Sequence, residues 1–341
     1  MLTERHSSDR QDYPIMALLI IFVLAGLWLL PGGVGAGPGL PLGPPPAAAP
    51  GEAGRFPYFA APTQAFLCGE PVPLNEPGVK EALDREFTIE VWSRAQTTMW
   101  LKRAHRYFPE IERKLRARRL PLDLKYVALA ESDLRTLARS SVGALGPWQF
   151  MAPTAQQLQL RCDKAIDERL NFGVSTDAAL THLEHLHRLF RNWPLALAAY
   201  NAGEGRVQKA IAVQGVNNYY HLSLPEETER YIHRILAAKI IMEDPERYGF
   251  AIPEAQLYPP LAYDEVRLTL AQEAPVRRLA EASGTYYKVI KNLNPWIKGD
   301  SLAPGTFRLK IPQGSAPRFE AIMRQPEPAA PAAPGAGTNK Q

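Results

Sequence analysis

Glu131 follows the apolar residues Val127-Ala-Leu-Ala130 at the end of a helical segment that runs from Leu122 to Ser132. A glycine-punctuated run, Gly143-Ala-Leu-Gly146-Pro-Trp-Gln149-Phe-Met151, comes soon after, and Ala199-Tyr-Asn-Ala-Gly203 lies farther on. Desolvation and the negative end of a helix both disfavour a carboxylate, so an acid in this position is expected to stay protonated near neutral pH. Such a group can protonate the leaving oxygen of a glycoside. A conventional glycosidase would add a second carboxylate at a matching distance. Asp133 does not fit, because residues i and i+2 of a helix do not face each other. Glu204 and Glu227 are the other acids of the motif blocks. The residues therefore point to one carboxylic acid working on a glycan; taken alone, Glu131 could equally be an ordinary helix glutamate.

The elements that must hold these groups are helical between Asn75 and Gly249. Asn75 and Pro77 suggest the cap and first turn of a long helix to about Arg106, with Val79, Leu83, Phe87, Val91 and Ala95 at four-residue steps. Pro109 and Pro121 are each expected to restart a helix, and Pro153 to open another. Leu170 to Arg191 is predicted as a longer one, and Glu226 to Glu243 completes the set before Pro245. Pro194 to Tyr200 is apolar nearly all round, which predicts a buried central helix. The fold class expected is mainly α, with an all-helical catalytic domain over 58–255.

After Pro259 the pattern changes. Tyr263 to Leu270 alternates like a strand, Pro275 to Ser283 and Tyr286 to Asn294 fit short helices, and Gly305 to Pro312 fits a last strand. This α+β module, 260–315, resembles the LysM glycan-binding repeat through Leu293-Asn-Pro295 and Leu309-Lys-Ile-Pro312. Ala271-Gln-Glu-Ala274 stands where that repeat opens with Gly-Asp-Thr-Leu, so the resemblance implies the fold more strongly than glycan binding.

The chain has 341 residues, 46% of them hydrophobic, enough for about two modest domains with a real core. Residues 1–14 are polar and contain Arg5 and Arg10. Residues 15–30 are continuously apolar and would reach about 24 Å as a helix, which fits an export signal or a single membrane anchor. Residues 31–57 are more than half Gly and Pro and should act as a spacer; residues 325–341 form an Ala/Pro-rich tail expected to be disordered. The net charge of +4 is mild. The basic run Arg113 to Arg119 interleaves with Ile111, Leu115 and Leu120, a solvated helix face rather than a nucleic-acid site. His182 and His185 lack the spacing of a zinc peptidase, so no metal is expected. Cys68 and Cys162 could pair in an oxidising compartment, worth roughly 4 to 5 kcal/mol in the entropic view; two free thiols are the alternative.

Together, Glu131-Ser132, Ser140, Gly143-x-x-Gly146-x-x-Gln149-x-Met151 and Ala199-Tyr-Asn-Ala-Gly203 resemble the soluble lytic transglycosylases, whose domain is lysozyme-like. Glu204-Gly-Arg-Val207 and Glu227-Thr-Glu-Arg-Tyr231 are similar to the membrane-bound murein transglycosylase D branch. The resemblance implies that Glu131 first protonates the bond between N-acetylmuramic acid and N-acetylglucosamine. The same residue then takes the proton of the muramoyl C6 hydroxyl to close a 1,6-anhydro ring. It further implies that Ser140 positions the N-acetyl group, that Gln149 and Met151 line the sugar cleft, and that Tyr200 and Asn201 sit opposite the acid. Tyr231 falls near the carboxyl, and Gly143, Gly146 and Gly203 are glycines of the matching blocks, the first two placed to let the backbone approach the glycan. No cofactor is implied. The expected partners are peptidoglycan strands and, if the N-terminal segment is kept, the inner membrane, which places the protein in the periplasm. A goose-type muramidase adding water, or a silent glycan-binding scaffold, are the competing readings. Leu134-Arg-Thr136 departs from the family pattern beside the acid.

Overall fold

The computed structural model describes residues 57–325. The N-terminal polar and apolar segments, the spacer up to residue 56 and the tail beyond 325 lie outside the described residues. The described part is mainly α, and no helix in it is long and apolar enough to cross a membrane.

Two very short strands, β1 (Phe66–Leu67) and β2 (Glu70–Pro71), open it as an antiparallel hairpin. Its turn residues Cys68 and Gly69 both have positive φ, 54° and 83°, as a two-residue hairpin loop requires. Helix α1 (Pro77–Trp92) and helix α2 (Arg94–Ala117) follow, separated only at Ser93. One long helix to Arg106 was expected, so this break is a correction. Ser93 leaves helical geometry at ψ 57°, while its N–H still closes the last turn of α1 on Ile89. Pro109 is the second correction: it lies inside α2 rather than starting a helix. The proline and His105, whose carbonyl loses its helical partner, are both exposed, where solvent can take up the lost hydrogen bond. The N-cap of α1 is Glu76 rather than Asn75, with no side-chain cap.

Helix α3 (Lys125–Ser132) carries Glu131, and α4 (Ala152–Gln157) is one short piece after the glycine run. The hairpin of helices α5 (Phe172–Phe190) and α6 (Trp193–Ala202) forms the centre. Asn171 and Asn192 cap their first turns by accepting from Val174 and Leu195. Every residue of α6 from Trp193 to Ala199 is buried, as its all-apolar surface requires. Helix α7 (Glu204–Gln214) buries only Val207, and so little periodicity marks it in the sequence. Helix α8 (Glu226–Glu243) packs across α1, α3 and α6. One continuous apolar core joins all these elements.

The C-terminal module pairs β3 (Tyr263–Leu270) with β6 (Gly305–Pro312) over eight antiparallel positions. Between them come β4 (Ala274–Pro275), α9 (Val276–Ala282), α10 (Tyr287–Leu293) and β5 (Ser301–Leu302). The sequence did not anticipate a last helix, α11 (Ala316–Met323), which packs Phe319 onto the module's own core. Asn294 is fully buried and crosslinks the module, its Nδ2 donating to the carbonyls of Ile290 and Lys310 and its Oδ1 accepting from Lys310.

The module is attached to the helical domain through the loop 163–167. Ile166 bridges Ile297, Asp167 donates its N–H to Trp296, and Lys298 donates to Ala165 through its backbone and to Asp163 through Nζ.

The expected disulfide is not formed: Cys68 and Cys162 are both free thiols. Cys68 sits in the hairpin turn with its N–H on Asp123, among Asp123, Lys239 and Glu70. Cys162 instead donates its thiol to Asp167. Burial pushes both thiols above the ordinary cysteine range.

Candidate active site

Helix α3 stops at Ser132, one residue beyond Glu131, without a glycine. Asp133 and Leu134 both take left-handed backbone, at φ 55° and 56°. Each is costly for a residue with a Cβ, by about 1 kcal/mol or more, and the surroundings hold the turn in place. Trp100 Nε1 and Gln96 Nε2 donate to Asp133 Oδ1 at 2.7 and 3.0 Å. Arg103 donates to the Asp133 carbonyl, and the Leu134 side chain is 1% exposed. The carboxylate nearest to Glu131 in sequence is thus occupied as a structural acceptor.

Glu131 itself is half-buried. Tyr231 of α8 donates its phenol to Glu131 Oε1 at 2.6 Å. Burial drives the carboxyl up to about 7, helped by the Glu227 charge and opposed by the Tyr231 hydrogen bond and by Arg234. Glu227, Tyr231 and Arg234 follow at four and three residues along α8, so a single helix face supplies all three influences. Glu131 is consequently a mixture of acid and carboxylate near neutral pH.

The glycine run folds over this end of α3. Ser132, buried, donates its hydroxyl to the carbonyls of Ala128 and Pro147 at 2.9 and 2.8 Å, tying the loop to the helix. Trp148 is buried and donates to Thr176 of α5, while its carbonyl accepts from the Tyr200 phenol at 2.9 Å. Arg169 fastens the loop from the other side. Its guanidinium grips Asp167 through Nε and Nη2 at 2.9 and 2.8 Å and donates through Nη1 to the carbonyls of Gly143 and Phe150. Both members of this ion pair are more than 90% buried. Burial pushes the Asp167 carboxyl up, but the Arg169 hydrogen bonds and charge outweigh it and hold the group below the usual carboxylate range.

The glycines serve different ends. At Gly146, φ is 84° and a Cβ would stand 2.1 Å from the Arg169 carbonyl, so the close approach there is to protein backbone, not to a glycan as expected. Gly143 and Gly203 also have positive φ, yet nothing lies within 4 Å of their missing Cβ atoms, so their surfaces are open.

The remaining candidates fall around the same helix ends and loop. Ser140 Oγ accepts from Ala144 N, which leaves its own proton available to a ligand. The Gln149 amide donates to Ala138 and Gly146 carbonyls, which leaves Oε1 to accept; its backbone is also left-handed, at φ 50°. Met151 is 41% exposed. Asn201 Oδ1 accepts from Thr228, so its amide nitrogen is left to donate. Tyr200, like Tyr231, feels the Glu131 charge, and burial followed by that charge raises both phenols well above the ordinary tyrosine range. His182 and His185 stack with each other, and His182 packs beside Tyr200 at 5.5 Å.

Sequence reasoning missed Asp167, Arg169, Arg234 and Glu90. Glu90 of α1 is 4% exposed, and its Oε2 has no partner among the described residues. Burial lifts it to about 7, and Arg234 pulls it back as it does Glu131. Buried carboxyls on the core side of an amphipathic helix are the signal that could have exposed it.

Tyr231→Phe tests the wiring of the acid. A hydrogen bond to a charged group is worth roughly 1.5 to 3 kcal/mol, and one pH unit corresponds to about 1.4 kcal/mol. Its loss raises Glu131 further, so activity that needs the protonated acid should persist to higher pH. The alkaline limb of the rate profile is expected to move up by about one unit. An unmoved limb would show that another group titrates.

Residues 109–222 match the family described as Transglycosylase SLT domain. The chain is 30% identical over 234 residues to Membrane-bound lytic murein transglycosylase D of Escherichia coli (strain K12), covering 67% of this chain and 51% of that protein. It is 36% identical over 115 residues to Peptidoglycan transglycosylase gp16 of Escherichia phage T7, covering 33% of this chain and 9% of that one. The chain thus spans about half the length of the first of these relatives. Among solved structures, the 70 kDa soluble lytic transglycosylase SLT70 of Escherichia coli aligns at 21% identity and a TM-score of 0.35, over 46% of this chain and 27% of that one.

Proposed function

We propose that this chain, which carries a transglycosylase SLT domain and is homologous to membrane-bound lytic murein transglycosylase D, is a peptidoglycan lytic transglycosylase. It would cut the β-1,4 bond between N-acetylmuramic acid and N-acetylglucosamine and leave 1,6-anhydromuramic ends. The observation that carries this reading is Glu131: a half-buried carboxyl at about 7, bonded by Tyr231 at 2.6 Å, whose neighbour Asp133 is already occupied.

In this mechanism Tyr231 holds Oε1, and Oε2 carries the proton to the glycosidic oxygen. As that bond breaks, positive charge grows on the muramoyl carbon, and the substrate's own N-acetyl oxygen can share it. Ser140, with a free hydroxyl proton, would orient that acetamido group. Glu131, now a carboxylate, removes the proton of the C6 hydroxyl, and the C6 oxygen attacks the anomeric carbon. The proton that Glu131 gave is thereby recovered, and no water enters. A group poised near 7 serves both halves, since neither state is far away at neutral pH. Gln149 Oε1, the Asn201 amide, Tyr200 and Met151 would contact the sugars flanking the cut. The cell-wall substrate and the membrane-bound relative favour a periplasmic location at the inner membrane.

Mass spectrometry of purified sacculi digested by the full chain tests this. Products lighter by one water than reducing muropeptides are expected. Reducing muramic ends in their place would overturn the reading in favour of a goose-type muramidase.

A further inference from the structure

A cleft of about 480 Å³ lies where the C-terminal module meets α2 and the start of α5, apart from the residues grouped around Glu131. Its size is that of an ordinary ligand site. Five basic residues outnumber three acids in its lining. Two of the five are already paired, Lys114 with Asp177 and Arg308 with Glu265. The others are not. Arg113 and Lys310 have no carboxylate partner among the described residues, and Arg106 uses its Nε on the Pro259 carbonyl with its guanidinium over the Tyr258 ring at 5.1 Å, likewise without a carboxylate. Lys310 stands over the Tyr263 ring at 4.2 Å, and Tyr107 supplies a second aromatic surface. Trp296 lines the same cleft at 5% exposure.

These features define an occupant. Unpaired cations call for carboxylates, the aromatic faces call for short apolar or sugar surfaces, and the three acids disfavour a polyanion such as a nucleic acid. Uncharged amino sugars would not need the cations. We propose that this cleft holds the carboxylate-bearing peptide that branches from a peptidoglycan strand, so that the enzyme grips its polymer by the peptide while Glu131 works on the glycan. The proposal rests on the transglycosylase reading above.

The test uses the full chain inactivated by Glu131→Gln and two probes, a purified disaccharide-tetrapeptide and the same disaccharide stripped of peptide. Calorimetry should give a dissociation constant about tenfold lower for the peptide-bearing probe, the size expected of two partly exposed ionic contacts. The double substitution R113E/K310E should bring the two probes to parity while leaving the stripped disaccharide and the thermal midpoint unchanged. Equal affinity of the unsubstituted cleft for both probes would overturn the proposal, as would a ratio that survives R113E/K310E or a loss shared equally by both. Failure of the underlying reading is visible separately, as reducing ends in the sacculus digest.

Discussion

Glu131→Gln is expected to lower the turnover of purified sacculi by about 10³-fold or more, because the proposed mechanism gives both proton transfers to this one residue and general acid-base catalysis alone contributes about 10² to 10⁴. The amide keeps the shape of the acid, and its oxygen can still accept from Tyr231, so the fold should be retained. Stability gives an independent readout. The folded-state pKa of Glu131, about 7, lies above its ordinary value of 4.5. Such a group contributes stability that is full below the ordinary value and declines as pH rises through 7. Glutamine has no proton to lose, so the variant should decline less steeply between about pH 5 and 8, the remainder coming from Glu90, which burial also lifts to about 7. Urea midpoints across that range measure it. Retained cleavage would refute the mechanism, and an identical alkaline decline would refute the assignment of the perturbed acid.

Arg169→Ala should be the most destabilising substitution near the site. It leaves Asp167 charged and buried and frees the carbonyls of Gly143 and Phe150 that Arg169 now satisfies. Breaking a buried pair in this way costs about 3 to 5 kcal/mol. Turnover should fall with it, since the glycine run loses its outer fastening. Arg169→Lys keeps the charge but not the planar fork and should recover only part of both. The Asp167 carboxyl is held below its ordinary range, so its contribution is present above that range and is lost as pH falls into acid. The stability deficit of Arg169→Ala should therefore shrink at low pH. A loss below about 1 kcal/mol near neutral pH would mean that the pair is not a fastening.

Much of the helical framework could be inferred from residue pattern alone. Helix α6 announced itself because an apolar surface all round has nowhere to go but the centre, and α8 because Pro245 stops it. The two-strand, two-helix order of the module followed from alternation between turn residues. What stayed hidden depends on tertiary partners. Asp133 and Leu134 adopt backbone that glycine usually marks, and only Trp100, Gln96 and Arg103 explain why they can. Asp167 and Arg169 are two residues apart, a spacing that looks like a solvated loop until burial is known. Gly146 was assigned to the glycan, yet the atom pressed against it is the Arg169 carbonyl. Cys68 and Cys162 offered an attractive pairing by number, but each already has its own acidic neighbour.

The loop 163–167 is grasped by Trp296, Ile297 and Lys298 at one end, and at the other it leads into the residues that hold Gly143 and Phe150. Two parts that share one hydrogen-bonded connector cannot open independently at low cost. The glycine run above the acid and the distal module therefore belong to one cooperative unit, and amide protons in both should exchange through a common opening event. A load applied to the module would therefore reach the glycine run beside Glu131 as mechanical tension.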